Sequence, residues 1–270
     1  PKRIEIRQKI LPFFHGQFSA VGKFGTGSVY ERIKEKIISL GGKIFFEETI
    51  NKINTMNNDI VSLETLSGKN INLTTKDKCI STIPITLTAN LLGLKTDLRF
   101  RGIKSIYLKY KEKNIIPDNL HWLYYDNDKV FFNRITETKK MSPQSSPVDE
   151  TILTAEITFS KGDKIDMMET KDLEKMVEQQ VLETGLTKGK KFIESSSNTE
   201  NFVYPVQTKG YNQELSKVRS FINKFNQLYS IGTGGEFNYA DSQVLFHKAF
   251  DIVDILCGRE SRSNQVIKQI

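Results

Sequence analysis

The middle of the chain limits its fold most. Between Arg101 and Thr208 apolar and polar residues alternate in "IKSIYLKY", "HWLYYDNDKVFFNRI" and "ETILTAEITF". A period of two puts every second side chain on one face, and Tyr, Phe, Trp and Ile suit a half-buried pleated surface. These segments predict longer strands of an antiparallel sheet, with the polar insert "TETKKMSPQSSPVDE" connecting two of them. An amphipathic helix over residues 172–183 follows, with Leu173, Met176, Val177, Gln180 and Val181 on one side and Gly185 at its end.

The flanks have a different texture. "GKFGTGSVYERIKEKIISLGG" predicts a helix from Ser28 to Leu40. Ser28 and Glu31 stand at capping-box spacing, Val29, Ile33, Ile37 and Leu40 form a helical stripe, and Gly41-Gly42 ends it. From Lys43 to Pro84, "KIFFEETINKIN", "DIVSLETL", "INLTT" and "KCISTIP" read as short strands split by the turn segments "MNND" and "SGKN". "LTANLLGL" reads as a short helix. After "YPVQTKGY", a helix over residues 212–225 buries Leu215, Val218, Ile222 and Phe225, and "QLYSIG" forms a short buried strand. The last helix, Asp241 to Leu256, turns Leu245, Ala249, Ile252, Val253 and Leu256 inward. The opening "PKRIEIRQKILPFFHGQF" reads as a short helix or loop, and the tail "GRESRSNQVIKQI" as frayed. The fold class that follows is α/β (α+β), one domain interrupted by another, with boundaries at 1–100, 101–208 and 209–270.

Composition removes several function classes. A net charge of +7 comes from 39 basic and 32 acidic residues that stay intermixed, as in "KDLEKMVEQQ", so the excess reads as a solvated face rather than a nucleic-acid footprint. No apolar run approaches the roughly 20 residues of a membrane span, and the opening does not read as a signal peptide. Cys79 and Cys257 are too few for a disulfide framework or a zinc site, which points to a reduced, cytoplasmic setting. His15, His121 and His247 are scattered, and GxSxG, P-loop and HExxH patterns are absent. The chain opens on Pro1 without an initiator Met, and we expect it to be a piece of something longer.

Two glycine segments feed helices. "IGTGGEFNYADSQVL" joins the strand "QLYSIG" to the last helix, and "KFGTGSVYERI" leads into the first. Glycine lets backbone approach a ligand without a Cβ in the way, and amides at a helix start favour anions. A tight turn with Asp241 as N-cap explains the same residues, and "GTGGEF" lacks the GxGxxG spacing. Both readings stay open on the residues alone. Trp122, Tyr124, Tyr125, Phe131 and Phe132 read mostly as sheet core, with alternate members and Arg134 able to line a cavity.

The ordered series "GKFGTGSVYERIKEKIISLGGKIFFEETINKI", "DKCISTIP", "WLYYDNDKVFFNRITETKKMSP", "TAEITF", "YPVQTKGY" and "LYSIGTGGEFNYADSQVLFHKAFDIVDIL" resembles the FAD-dependent amine oxidase superfamily. The branch with protoporphyrinogen-oxidase-like proteins and UDP-galactopyranose mutase is the most similar. The resemblance covers Phe18 to Leu256 and implies a Rossmann-like FAD domain interrupted by an antiparallel substrate domain. It implies that Gly25, Thr26 and Gly27 lie near the flavin and that the backbone of Ile50 meets the adenine. Gly232, Thr233, Gly234, Gly235 and Asp241 would contact the pyrophosphate and ribityl chain, while Trp122, Tyr124, Arg134 and Tyr204 would line the substrate cavity.

Four departures qualify what is carried over. The family's N-terminal GxGxxG segment is not in this sequence, so the resemblance implies a C-terminal portion. Gly232-Thr233 stands where relatives have Gly-Arg, and "FNYAD" is shorter than the usual pattern. Ser105 falls where amine oxidases place a lysine near the flavin. The leading expectation is a FAD-dependent oxidoreductase acting on a small molecule. A flavin-dependent nonredox sugar-nucleotide mutase and a non-catalytic binding or assembly module are the alternatives.

Overall fold

The computed structural model describes residues 25–259. The opening segment, His15 and the tail beyond Arg259, read from the sequence above, lie outside those residues. In chain order the elements are α1 (Gly27–Ser39), β1 (Ile50–Met56), β2 (Asp59–Thr65), β3 (Asn70–Asn72), β4 (Cys79–Ser81), α2 (Ile85–Leu91), β5 (Phe100–Tyr110), β6 (Trp122–Tyr124), β7 (Arg134–Glu137) and α3 (Thr138–Met141). There follow β8 (Thr151–Ser160), α4 (Lys164–Met167), α5 (Thr170–Glu183), β9 (Glu194–Pro205), α6 (Tyr211–Ile222), β10 (Leu228–Ser230), α7 (Gly232–Gly235) and α8 (Ser242–Leu256). Helices and strands mix throughout, with sheets ordered β1-β2-β3, β10-β4 and β6-β7-β8-β5-β9. The described residues divide into two compact units, 25–44, 104–157 and 168–198 in one, 45–103, 158–167 and 199–259 in the other.

In the first unit the alternation of β8 buries Leu153, Ala155 and Ile157, and that of β5 buries Ile106, Leu108 and Tyr110. Residues between them in sequence face the other side and stay half-exposed. Helix α5 buries Leu173, Val177 and Val181, each worth about 2 kcal/mol. It is tied down by Gln180, whose Oε1 accepts from the Phe131 amide (2.9 Å), and by Glu174, which accepts from Ser195 Oγ (3.0 Å). Glu137 is fully buried, and its carboxylate accepts from the amides of Ile115 (2.9 Å) and Ile116 (2.8 Å) and from Thr151 Oγ1 (2.7 Å). These bonds replace the water that a buried carboxylate loses.

In the second unit β1 and β2 form a hairpin across Asn57 and Asn58, both at positive φ (51° and 67°). Two such residues make the tight turn whose twist matches paired strands, and Asn tolerates that conformation. The predicted stripe of α6 is buried as expected, Leu215, Val218 and Ile222 within the helix and Phe225 just beyond it. They join Ile60, Ile85, Ala89 and Phe237 in one core. Strand β10 pairs in parallel with β4, Leu228 opposite Cys79 and Ser230 opposite Ser81. At the entry to β10, the Gln227 side chain is buried. Its Oε1 accepts from the Ile60 amide (2.8 Å) and its Nε2 donates to the Thr74 carbonyl (2.5 Å).

Several sequence expectations change. The Ser28–Glu31 capping box does not form: Thr26 is the N-cap of α1, without a side-chain cap bond, and Glu31 pairs with Lys34 one turn on. "KIFFEETINKIN" is strand only from Ile50. "HWLYYDNDKVFFNRI" is not one strand but two, β6 and β7, paired antiparallel with Tyr124 opposite Arg134. Asp126, Asn127 and Asp128, poor strand formers, lie in the turn region between them. Of that aromatic set only Phe132 is fully buried, whereas Tyr124 is 69% exposed. The twelve-residue strand β9 was not expected, because its Ser-, Asn- and Thr-rich start carries no apolar alternation. In α8 Ile252 is buried as expected, but Ala249 and Val253 are exposed, while Asp251 and Asp254 are buried. Helix α1 buries none of its residues.

Two measurements check this packing. Gln227→Leu strands the buried Ile60 amide and removes the bond to the Thr74 carbonyl, so it should lower unfolding free energy by about 2 kcal/mol in a denaturant titration. Burial, with Glu178 nearby, pushes the Tyr110 phenol up to about 12. A phenol raised in the folded state stabilises fully below its unfolded pKa of about 10, and that stability drains away as pH climbs to about 12. Tyr110→Phe should therefore flatten the alkaline fall in melting temperature.

Candidate functional site

The second glycine segment is built on the β4–β10 pair. Strand β10 ends at Ser230, the Ile231 amide donates to the Ser81 carbonyl (2.9 Å), and the chain then closes one helical turn, α7. Its glycines do different things. Gly232 sits at φ +83°, where an L side chain is strained, and a Cβ there would meet nothing within 4 Å. A Cβ on Gly234 would lie 3.1 Å from Pro84 N and 3.2 Å from the Thr82 carbonyl oxygen. On Gly235 it would lie 2.9 Å from Ser230 Oγ and 3.1 Å from the Ser81 carbonyl oxygen. Gly234 and Gly235 are thus favoured by the close approach of α7 to the Ser81–Pro84 backbone, and Gly235 also by Ser230, with or without a ligand. Gly232 and Thr233 remain half-exposed.

Polar contacts fix the turn from behind. Ser230 Oγ donates to the Gly235 carbonyl (2.8 Å) and Arg219 Nη2 to the Glu236 carbonyl (2.7 Å). Lys248 from α8 reaches both Glu236 carboxylate oxygens at 2.7 Å. Asp241 is the N-cap of α8 by position, extended and exposed, but its side chain makes no cap bond, so the backbone alone starts the helix. Arg219, Glu236 and Lys248 were missed in the sequence, where each reads as an ordinary helix or loop charge. Ile50 opens β1 opposite Thr65, and the Tyr204 ring lies 5.2 Å from that of Tyr239.

The first unit holds the other predicted residues. Gly25 is at φ +52°, and a Cβ there would lie 3.9 Å from the Ser142 Cβ. Thr26 and the exposed Gly27 start α1. Trp122 and Tyr124 lie two apart on β6 and therefore share a face. Arg134 is opposite Tyr124 on one side and Glu156 on the other, so the three form one row across β6, β7 and β8. The guanidinium grips Glu156 in a bidentate pair, Nε to Oε2 at 2.8 Å and Nη2 to Oε1 at 2.7 Å, and stands 5.9 Å from the Tyr124 ring. The Glu156 carboxylate raises the Arg134 pKa further and fixes a permanent, oriented cation on the half-exposed face. Glu156 was also missed; its signal was a lone carboxylate inside the strand "TAEITF".

Among the described residues no group of three or more His, Cys, Asp or Glu side chains is placed to hold a metal ion. No described helix is long and apolar enough to cross a membrane. Both cysteines are free thiols, Cys79 half-buried with its pKa pushed up by burial and Cys257 exposed.

Known structures share this architecture. Reduced UDP-galactopyranose mutase superposes with a TM-score of 0.72 at 20% identity, over 87% of this chain and 51% of the other. A putative protoporphyrinogen oxidase from Exiguobacterium sp. 255-15 gives 0.61 at 18% identity, over 78% and 47%. A putrescine oxidase variant redesigned for cofactor binding gives 0.55 at 10% identity, over 87% and 53%. The chain shares its fold with these proteins. It spans about half the length of these proteins, and at such identities the likeness concerns fold alone. No protein-family model and no curated protein matches the sequence.

The close contacts make the glycine turn testable without any ligand. Gly235→Ala should destabilise the chain by about 2 kcal/mol through overpacking, and Gly232→Ala by about 1 kcal/mol through its positive φ. Equal stability of Gly235→Ala and the parent in a thermal melt would contradict the packing role.

Proposed function

We propose that this chain is the C-terminal portion of a FAD-dependent oxidoreductase of the amine oxidase superfamily, acting on a small molecule. In this reading the described residues up to 100 and from 209 belong to a partial Rossmann-like cofactor domain, and residues 101–208 to an antiparallel substrate domain. Residues 25–44 pack in the unit of 104–157, and 158–167 and 199–208 in that of 45–103. The fold likeness to UDP-galactopyranose mutase over 87% of this chain, yet only 51% of the other, carries the reading. A second support is α1, whose Val29, Ile33, Ile37 and Leu40 stripe keeps between 37% and 73% of its surface in solvent. An apolar stripe of that length is ordinarily buried, and a further half of the fold would bury it.

The residues fit a flavin dinucleotide in part. Gly232 and Thr233 offer half-exposed positions at the start of α7, and half-exposed Gly25 with exposed Thr26 and Gly27 do so at the start of α1. Ile50 and Asp241 complete the cofactor set in this reading. Gly234 and Gly235 support the turn from within. The flavin, when bound, supplies the electron-transfer chemistry. The chain's own part is to orient it and to present Trp122, Tyr124, Arg134 and Tyr204 to the substrate, Arg134 as a cation that never loses its proton. The setting is the reduced cytoplasm.

A flavin-dependent nonredox mutase is the second reading. It is favoured by the 0.72 superposition on UDP-galactopyranose mutase and by Ser105 in place of an amine-oxidase lysine.

The full-length gene product should show flavin absorbance bands as purified or after FAD addition; their absence in both states refutes the proposal. The 270-residue chain alone should bind FAD with a Kd weaker than about 1 µM, because it lacks a GxGxxG segment. Tighter binding in a fluorescence titration would refute that division of labour.

A further inference from the structure

The second unit holds a cavity of about 570 Å³ that shares no residue with the sites above. That volume is in the range of small-molecule pockets. Its floor is apolar, formed by Phe100, Phe159 and Phe202, with the Phe100 and Phe202 rings edge to face at 5.8 Å. The floor depends on Gly102. A Cβ there would fall 2.4 Å from the Phe159 ring and 2.6 Å from the Glu200 carbonyl oxygen, so only glycine lets that ring lie against β5. Phe202 is 45% exposed, so the aromatic wall is open to a ligand.

The rim is cationic. Arg99, Arg101 and Lys161 line the cavity, and its lining contains no carboxylate. Arg101 is oriented by a neutral partner, its Nη2 donating to Thr158 Oγ1 (2.9 Å), which leaves its charge uncompensated by that bond. Lys161 shares its charge with Asp166 at 3.1 Å. A bare inorganic anion would gain from the guanidinium groups but not from the floor, and a neutral hydrocarbon from the floor but not from the rim, so a ligand with both parts is favoured over either.

We propose that this cavity binds a small amphiphilic anion, an aromatic or aliphatic body carrying one carboxylate or phosphate, with the body against Phe100, Phe159 and Phe202 and the head between Arg99 and Arg101. The proposal uses no residue of the flavin reading and stands or falls separately from it.

The test is a fluorescence titration of the full chain with 2-naphthoate, 2-naphthyl phosphate and the neutral 2-naphthalenemethanol. Both anions should bind saturably, at least about fivefold more tightly than the alcohol. Whichever anion binds more tightly assigns the head group. The double variant Arg99→Met/Arg101→Met should bind naphthoate no better than the alcohol, and Phe202→Ala should weaken acid and alcohol alike. If the double variant has lost its circular dichroism melt, Arg99→Met alone decides, with about a threefold loss expected for naphthoate and none for the alcohol. Equal binding of acid and alcohol, an unchanged preference in the folded arginine variants, or no saturable anion binding overturns the proposal. So does one-for-one displacement of naphthoate by flavin mononucleotide, which would assign the cavity to the flavin.

Discussion

One buried amide sets the geometry of the second unit. Gln227 is 1% exposed, and it satisfies the Ile60 amide from β2 and the Thr74 carbonyl beyond β3 while its own carbonyl accepts from the Cys79 amide (2.7 Å). Ile60, Thr74 and Cys79, all about 150 residues or more before Gln227, are therefore held at one point, directly before β10. Its partners would be costly to bury unpaired, so the starting register of β10 against β4 is specified by hydrogen bonding as well as by Leu228. The position of the glycine turn follows, because Ile231 and Gly235 are placed by the Ser81 carbonyl and Ser230.

The first unit solves a similar problem with charge. Glu137 and Arg134 are three residues apart on β7, and each is neutralised differently. Glu137 is enclosed by backbone amides and a threonine hydroxyl, with the Lys140 ammonium 3.9 Å away as counter-charge, which makes it structural. Arg134 keeps a bidentate carboxylate on a half-exposed face, which holds its guanidinium 5.9 Å from the Tyr124 ring of β6. Strand alternation separates the two roles: adjacent functions on one short strand are possible because neighbouring residues face opposite sides.

The glycine-rich turn shows how far sequence chemistry reaches. Three glycines in four positions suggested a ligand cradle or a tight turn, and both demand glycine. The structure divides them: positive φ at Gly232, internal contact at Gly234 and Gly235. That division was illegible in the sequence because, apart from the nearby Ser230, the constraining atoms in Ser81 to Pro84 lie about 150 residues earlier in the chain. The same holds for Arg134, whose partner Glu156 is chosen by strand register rather than by proximity in sequence.

What the sequence determined by itself was local. The stripes of α5 and α6, the Asn57-Asn58 turn and the strands β5 and β8 were legible because periodicity and turn chemistry act over a few residues. Only the tertiary structure decided which stripes are buried. Helix α1 has as regular a stripe as α6, yet α1 buries nothing, and α8 buries two aspartates while exposing Val253. Nor did sequence alternation reveal the polar strand β9 or the break between β6 and β7. Burial is set by what another segment brings to a face, and hydrophobic pattern describes one side of that contact.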